Sequence, residues 1–158
     1  MTPFRGGAPA VLLLTVLSAP GHAETLVASR VADGRVLASA EIAEGAGWCV
    51  LWRHSVQGFE VADCYLNLAG RMVLDRSHLP DFAAGLDHIP GRGVQRSDGM
   101  GGYWIEDLDE PVPGNAYILR PGSMAVDHRL SIGARVISLS ALAEHERVRI
   151  SLTPEDAR

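Results

Sequence analysis

The chain reads as an all-β protein, an antiparallel β-sandwich of about nine short strands carrying one long loop. Three observations predict it. Short apolar runs are separated by turn signals every ten or so residues, hardly any stretch keeps a helical period, and one hairpin fixes its own register. That hairpin is WCVLWRHSVQGFEVADCY, residues 48 to 65. Turned at Val56 and Gln57, it places Cys49 opposite Cys64, Leu51 opposite Ala62 and Arg53 opposite Glu60 on one face. Trp48 then faces Tyr65, Trp52 faces Val61 and His54 faces Phe59 on the other. A slip of one residue would scramble both faces.

The first 23 residues stand apart from this pattern. A single Arg, the apolar run AVLLLTVLSA and small residues before Glu24 have the make-up of a secretory signal peptide cleaved after Ala23. Residues 24 to 158 are then a single domain. An uncleaved membrane anchor is the alternative, and it would need an apolar run of roughly 18 residues or more. Within the domain, residues 25 to 31 alternate loosely, Asp33-Gly34 is a two-residue turn signal, and residues 36 to 43 return as the partner strand. Gly45-Ala46-Gly47 breaks the pattern before the central hairpin, whose second strand runs to about Leu68. Ala69-Gly70 turns the chain into a short strand at 72 to 74. Residues 77 to 102 are glycine-rich and aperiodic, which predicts a long loop over one end or edge of the sheet. Strands follow at 103 to 105, 116 to 120, 124 to 130 and 136 to 139, and in the third of these Met124, Val126 and His128 share a face. Residues 140 to 145 suit a single capped helical turn, and residues 148 to 152 alternate as a closing strand.

Charge and cysteines narrow the function. The sequence has 14 basic and 19 acidic residues, and only Arg5 leaves with the signal, so the mature chain carries a net charge of −6. An acidic chain with no basic run is a poor partner for nucleic acid or anionic membrane. Nothing after the signal is apolar enough to span a bilayer. Export places the protein in the periplasm or outside the cell, where two Cys suggest one disulfide. Cys49 and Cys64, directly opposed in the hairpin, lie within bridging reach. Two buried free thiols are the alternative. Their spacing excludes a CxxC redox motif and a Cys-based metal site.

Few residues offer chemistry. His54 at a strand end and His128 are the candidate metal ligands, joined by Asp63 or by Asp81, Asp87 and Asp98 from the long loop. The register opposes this in part, because Asp63 lies four residues along the strand from the partner of His54, roughly 13 Å away. A hydrogen-bonded His at the edge of a sandwich core is the plainer reading. His54 and Ser55 are neighbours on a strand and point to opposite faces, and no GxSxG elbow or zinc-protease helix is present. Gly99 to Gly102 does not open a helix and reads as a flexible lead into Tyr103. Trp48, Trp52, Trp104 and Tyr65 either line a ligand pocket or fill the core. Arg53 is expected to pair with Glu60 across the hairpin, and His78 and His88 to titrate in water.

An ordered set of short motifs adds a resemblance. His54-Ser55-Val56, an acid nine residues beyond the His, Ala84-Gly85-Leu86, Asp98-Gly99 and the late His128 together resemble the family of domain of unknown function 1850. Those are small exported bacterial proteins often encoded beside TRAP transporters of the TAXI type. The likeness covers nearly the whole mature chain. The family's usual pattern is HSVE, then a Glu, then GAGLP. Here Gln57 follows HSV, Asp63 stands for the Glu, and Ala83-Ala84-Gly85-Leu86-Asp87 replaces GAGLP, so no role can rest on a carboxylate at 57. The resemblance implies an exported, non-enzymatic accessory or binding protein of the cell envelope, linked to TRAP-type uptake of small organic acids. TRAP subunits or a small organic anion would be its partners, with no cofactor. The expected working surface is His54, Ser55, Val56, Asp63, Gly85, Leu86, Gly99 and His128. Three rivals differ in what they require. A metal- or small-molecule-binding module needs an enclosed pocket or convergent ligands. A metal-dependent hydrolase using His54 and His128 needs a perturbed carboxylate or His in a cleft. A structural partner-binding domain needs a flat exposed apolar patch.

Overall fold

The computed structural model describes residues 23–56, 58–79 and 89–154. Residues 1–22 of the expected signal segment, together with Gln57, Asp81, Gly85, Leu86, Asp87 and His88, lie outside them. Among the described residues the chain forms twelve strands: β1 (Ala23–Arg30), β2 (Val36–Ala43), β3 (Gly47–Arg53), β4 (Glu60–Leu68), β5 (Arg71–Leu79) and β6 (Val94–Ser97), then β7 (Tyr103–Glu106), β8 (Glu110–Pro111), β9 (Ala116–Leu119), β10 (Arg129–Ile132), β11 (Arg135–Ser138) and β12 (Val148–Pro154). One short α-helix among the described residues, α1, spans Leu139–Ala143, and a single 3-10 turn covers Pro113–Asn115. All pairings are antiparallel and make two sheets. The smaller has the order β2-β1-β12-β9, and the larger runs β11-β10-β3-β4-β5-β7-β6, with β8 beside β5.

Strand periodicity builds the core. Leu26 and Ala28 of β1, Ala38 and Ile42 of β2, and Val148, Ile150 and Leu152 of β12 are buried on one face of the smaller sheet. They pack with Trp48, Val50, Met72 and Leu130 of the larger one. Each aliphatic side chain so buried contributes about 1.5–3 kcal/mol. A second, smaller cluster of Val61, Leu79, Tyr103, Ile105 and Leu108 lies farther along the larger sheet, and Trp52 packs against both clusters. Asn67 is fully buried and ties the sheets together: its Nδ2 donates to the carbonyl of Ile42 (2.9 Å) and its Oδ1 accepts from Gly70 N (3.0 Å).

The central hairpin has the register its sequence predicts, from Trp48 opposite Tyr65 to Arg53 opposite Glu60, and Cys49 and Cys64 form a disulfide. Four expectations are corrected. The aperiodic stretch is shorter than residues 77 to 102: β5 extends to Leu79, and β6 and β7 pair across a turn at Asp98. In that turn Asp98 Oδ1 accepts from Met100 N (2.7 Å) and Gly102 N (2.9 Å). Residues 124 to 130 are not one strand. The Ser123 carbonyl accepts from both Val126 N and Asp127 N (2.9 Å each), Asp127 is left-handed at φ 47°, and the strand starts only at Arg129. The helical turn is capped by Ser138, whose Oγ accepts from Ala141 N (3.1 Å), while Ser140 Oγ accepts from His128 N (2.9 Å). Finally, Glu60 is held by Arg129 rather than by Arg53, because β10 lies beside β3 with Arg129 level with Leu51 on the outer face.

Candidate functional site

The hairpin's inner face is a row of apolar and aromatic pairs with one exception. Between Trp48/Tyr65 and Trp52/Val61 sits the pair Val50/Asp63, so a carboxylate occupies a position whose phase belongs to the core. Asp63 is half-buried. Its nearest partner is Ser77, directly across on β5, whose hydroxyl donates to Asp63 Oδ1 at 2.6 Å. Among the described residues the second oxygen has no partner and no cation lies within ion-pairing distance. Arg92 reaches Asp63 only through its field, since its guanidinium is clamped on Glu110 by two bonds of 2.6 and 2.9 Å. Burial pushes the Asp63 carboxyl above its ordinary range, against the opposing pull of the Ser77 hydrogen bond and the Arg92 charge.

Two cavities of about 220 Å³ each meet at Trp52 and Asp63. One is walled by Val50, Tyr65 and His128 on the larger sheet's side and by Tyr117 and Leu119 of β9, the edge strand of the smaller sheet. The other lies over the second cluster, among Val61, Leu74, Ser77, Leu79, Arg92 and Ile105. Asp63 thus marks the seam where the two apolar clusters part.

Aromatic rings form the walls. Trp48 stacks on Tyr65 (5.7 Å between centroids) and Tyr65 on Tyr117 (5.3 Å), while the His128 ring lies nearly parallel to Trp52 at 5.9 Å. Burial, reinforced by the negative charge of Asp63, pushes the Tyr65 hydroxyl up to about 12, and burial raises Tyr117 further. The Tyr117 hydroxyl and the Trp48 indole nitrogen are buried with no hydrogen bond of good geometry among the described residues, although the Tyr65 hydroxyl and the Trp48 indole both lie close enough to the Tyr117 hydroxyl to act on its titration. Each such group costs about 1–3 kcal/mol. Gly122 N donates to His128 Nδ1 (3.1 Å), which leaves the proton of the neutral ring on Nε2. Burial lowers the His128 pKa, with Asp127 acting the other way.

Of the residues expected to form a working surface, Asp63 and His128 line this cleft. His54, Ser55 and Val56 lie at the hairpin tip, where His54 stacks on Phe59 (5.0 Å) and Val56 is exposed. Gly99 sits in the β6–β7 turn, and Gly85 and Leu86 lie outside the described residues. The metal reading gains no support: among the described residues no three His, Cys, Asp or Glu side chains come together to hold an ion. Ser77 and Asp63 touch, but among the described residues no His completes a catalytic triad with them. His78 is not left to water. Its Nε2 meets Asp98 Oδ2 at 2.9 Å on the outer face, and Trp104 lies against it with the Arg76 guanidinium 4.9 Å from the indole ring. Trp104 is therefore remote in role from the cleft that Trp52 and Tyr65 line. Tyr117 and Ser77 were not visible as site residues in the sequence. Asp63 carried the one usable signal, a charge in phase with the core.

Fold and cleft together define a class: a two-sheet antiparallel β protein with a small aromatic cleft around a single carboxylate. The chain belongs to the family described as domain of unknown function DUF1850, whose profile matches residues 49–139. That span holds the disulfide, Trp52, Asp63, Ser77, Tyr117 and His128. No curated protein and no solved structure matches the chain.

Proposed function

We propose that the protein is exported and serves as a non-enzymatic binding or accessory protein of the cell envelope, taking up a small solute in the cleft at Asp63. The observation that carries this reading is a carboxylate with one free oxygen at the meeting point of two cavities lined by Trp52, Tyr65, Tyr117 and His128. Isolated buried charge is costly, and a folded chain keeps it most readily where a ligand completes its partners. The disulfide suits an oxidising compartment, and no helix among the described residues is long and apolar enough to cross a membrane. A link to TRAP-type uptake rests on the family resemblance and would make a transporter subunit the protein's docking partner.

The three tryptophans report on three places: the cleft (Trp52), the core (Trp48) and the outer face (Trp104). Fluorotryptophan-labelled protein, titrated with the small-solute fraction of an envelope extract, should show the Trp52 fluorine resonance moving while Trp104 stays fixed. A Trp52 signal unmoved by every fraction would sink the binding role.

A further inference from the structure

The geometry points to a ligand class: the cleft is built for a small organic cation, a primary or substituted ammonium carried on a short apolar or aromatic body. This rests on the reading of the cleft as the working site. Asp63 supplies the charge. Among the described residues its Oδ1 is taken by Ser77, its other oxygen has no partner, and Arg92, the one cation that acts on it, is clamped on Glu110. An ammonium is the complement such a carboxylate lacks. The walls supply the rest. Aromatic faces attract a cation through their quadrupole, and Trp52, Tyr65 and Tyr117 stand around the Asp63 cavity. The Tyr117 hydroxyl, buried beside it with no hydrogen bond of good geometry among the described residues, is a second acceptor for an ammonium proton. Val50 and Leu119 give the ligand's body apolar contact.

Size and sign exclude alternatives. At about 220 Å³ the cavity falls below the roughly 300–1,000 Å³ of drug-sized pockets, so the ligand is small. An organic anion would meet an unpaired carboxylate in a chain that is itself acidic, and such like-charge contacts are repulsive. Ionisation of Asp63, which burial opposes, is what a bound ammonium would favour.

The test uses three probes of one shape: benzylamine, benzyl alcohol and benzoate, titrated into fluorotryptophan-labelled protein. Benzylamine should move the Trp52 resonance at a concentration at least tenfold below that needed for benzyl alcohol, and benzoate should not bind. Added salt should weaken benzylamine alone. Asp63→Asn, with signal dispersion confirming its fold, should remove the preference for amine over alcohol. If the alcohol or the benzoate binds at the cleft as well as the amine, or if Asp63→Asn keeps the preference, the cation assignment fails while the cleft stands as a site. If no probe and no extract fraction moves Trp52, the cleft reading falls and the assignment with it.

Discussion

The two faces of the β3–β4 hairpin share one backbone and one register, yet they are furnished in opposite ways. On the outer face Cys49 and Cys64 are bonded covalently and Glu60 is ion-paired to Arg129. On the inner face, between the sheets, Asp63 keeps one oxygen without a partner among the described residues, and the Trp48 indole nitrogen and the Tyr117 hydroxyl across the cleft make no hydrogen bond of good geometry among them. The side with access to water carries the covalent tie and the ion pair, and its Arg53 is exposed to solvent. Buried polar groups left unpaired are expensive, so the inner face carries a cost that packing does not recover. That difference separates scaffold from site: the outer face stabilises the hairpin, and the inner face holds unmet capacity for a ligand.

The largest expected effect comes from removing the outer cross-link. Replacing both Cys49 and Cys64 by Ser opens a bridge between residues 15 apart, and chain-entropy reasoning sets the loss at about 3 kcal/mol, measured as a lower denaturant midpoint. An unchanged midpoint would remove the scaffold role from the outer face. On the inner face the sign reverses. Tyr117→Phe deletes a buried hydroxyl that makes no hydrogen bond of good geometry among the described residues, so it should raise stability by about 1 kcal/mol in the ligand-free protein. A destabilised Phe variant would mean that the hydroxyl is satisfied in solution, and the contrast between the faces would lose one of its supports.

The hairpin was legible because its information is local. Period-two alternation and two Cys at matched positions fix the register without help from the rest of the chain. What remained hidden depends on neighbours distant in sequence. Arg129 displaces Arg53 from Glu60 only because β10 docks on β3, and Tyr117 reaches Tyr65 only because β9 is an edge strand of the opposite sheet. Strand β6 was missed for another reason: all four of its residues are exposed, so it has no apolar alternation to read. At 123 to 127 the turn is held by main-chain hydrogen bonds to Ser123, which leave no pattern in the side chains. Asp63 was named as a site residue, but as a companion of His54. The register sets it roughly 13 Å from the partner of His54, and the same register, followed through, places it opposite Val50 in phase with the core.

The smallest effect is the most discriminating, because it changes with pH. Burial raises the Asp63 carboxyl above its ordinary 3.8, so the folded chain holds that proton more tightly than the unfolded one. Below the ordinary value both states are protonated and the residue contributes nothing to the difference. As pH rises from there through the raised value, the unfolded chain ionises first, and stability falls until both states are charged. Asp63→Asn removes this penalty while its side-chain carbonyl can still accept from Ser77. The variant should be modestly more stable than the parent at neutral pH, with the gain shrinking to nothing as the pH is lowered to about 3.8. Paired denaturant titrations across that window test it. A gain that does not vary with pH would show that the benefit comes from packing and not from the charge. A loss at neutral pH would show that Asp63 already has a cationic partner within the protein, leaving the inner face as satisfied as the outer.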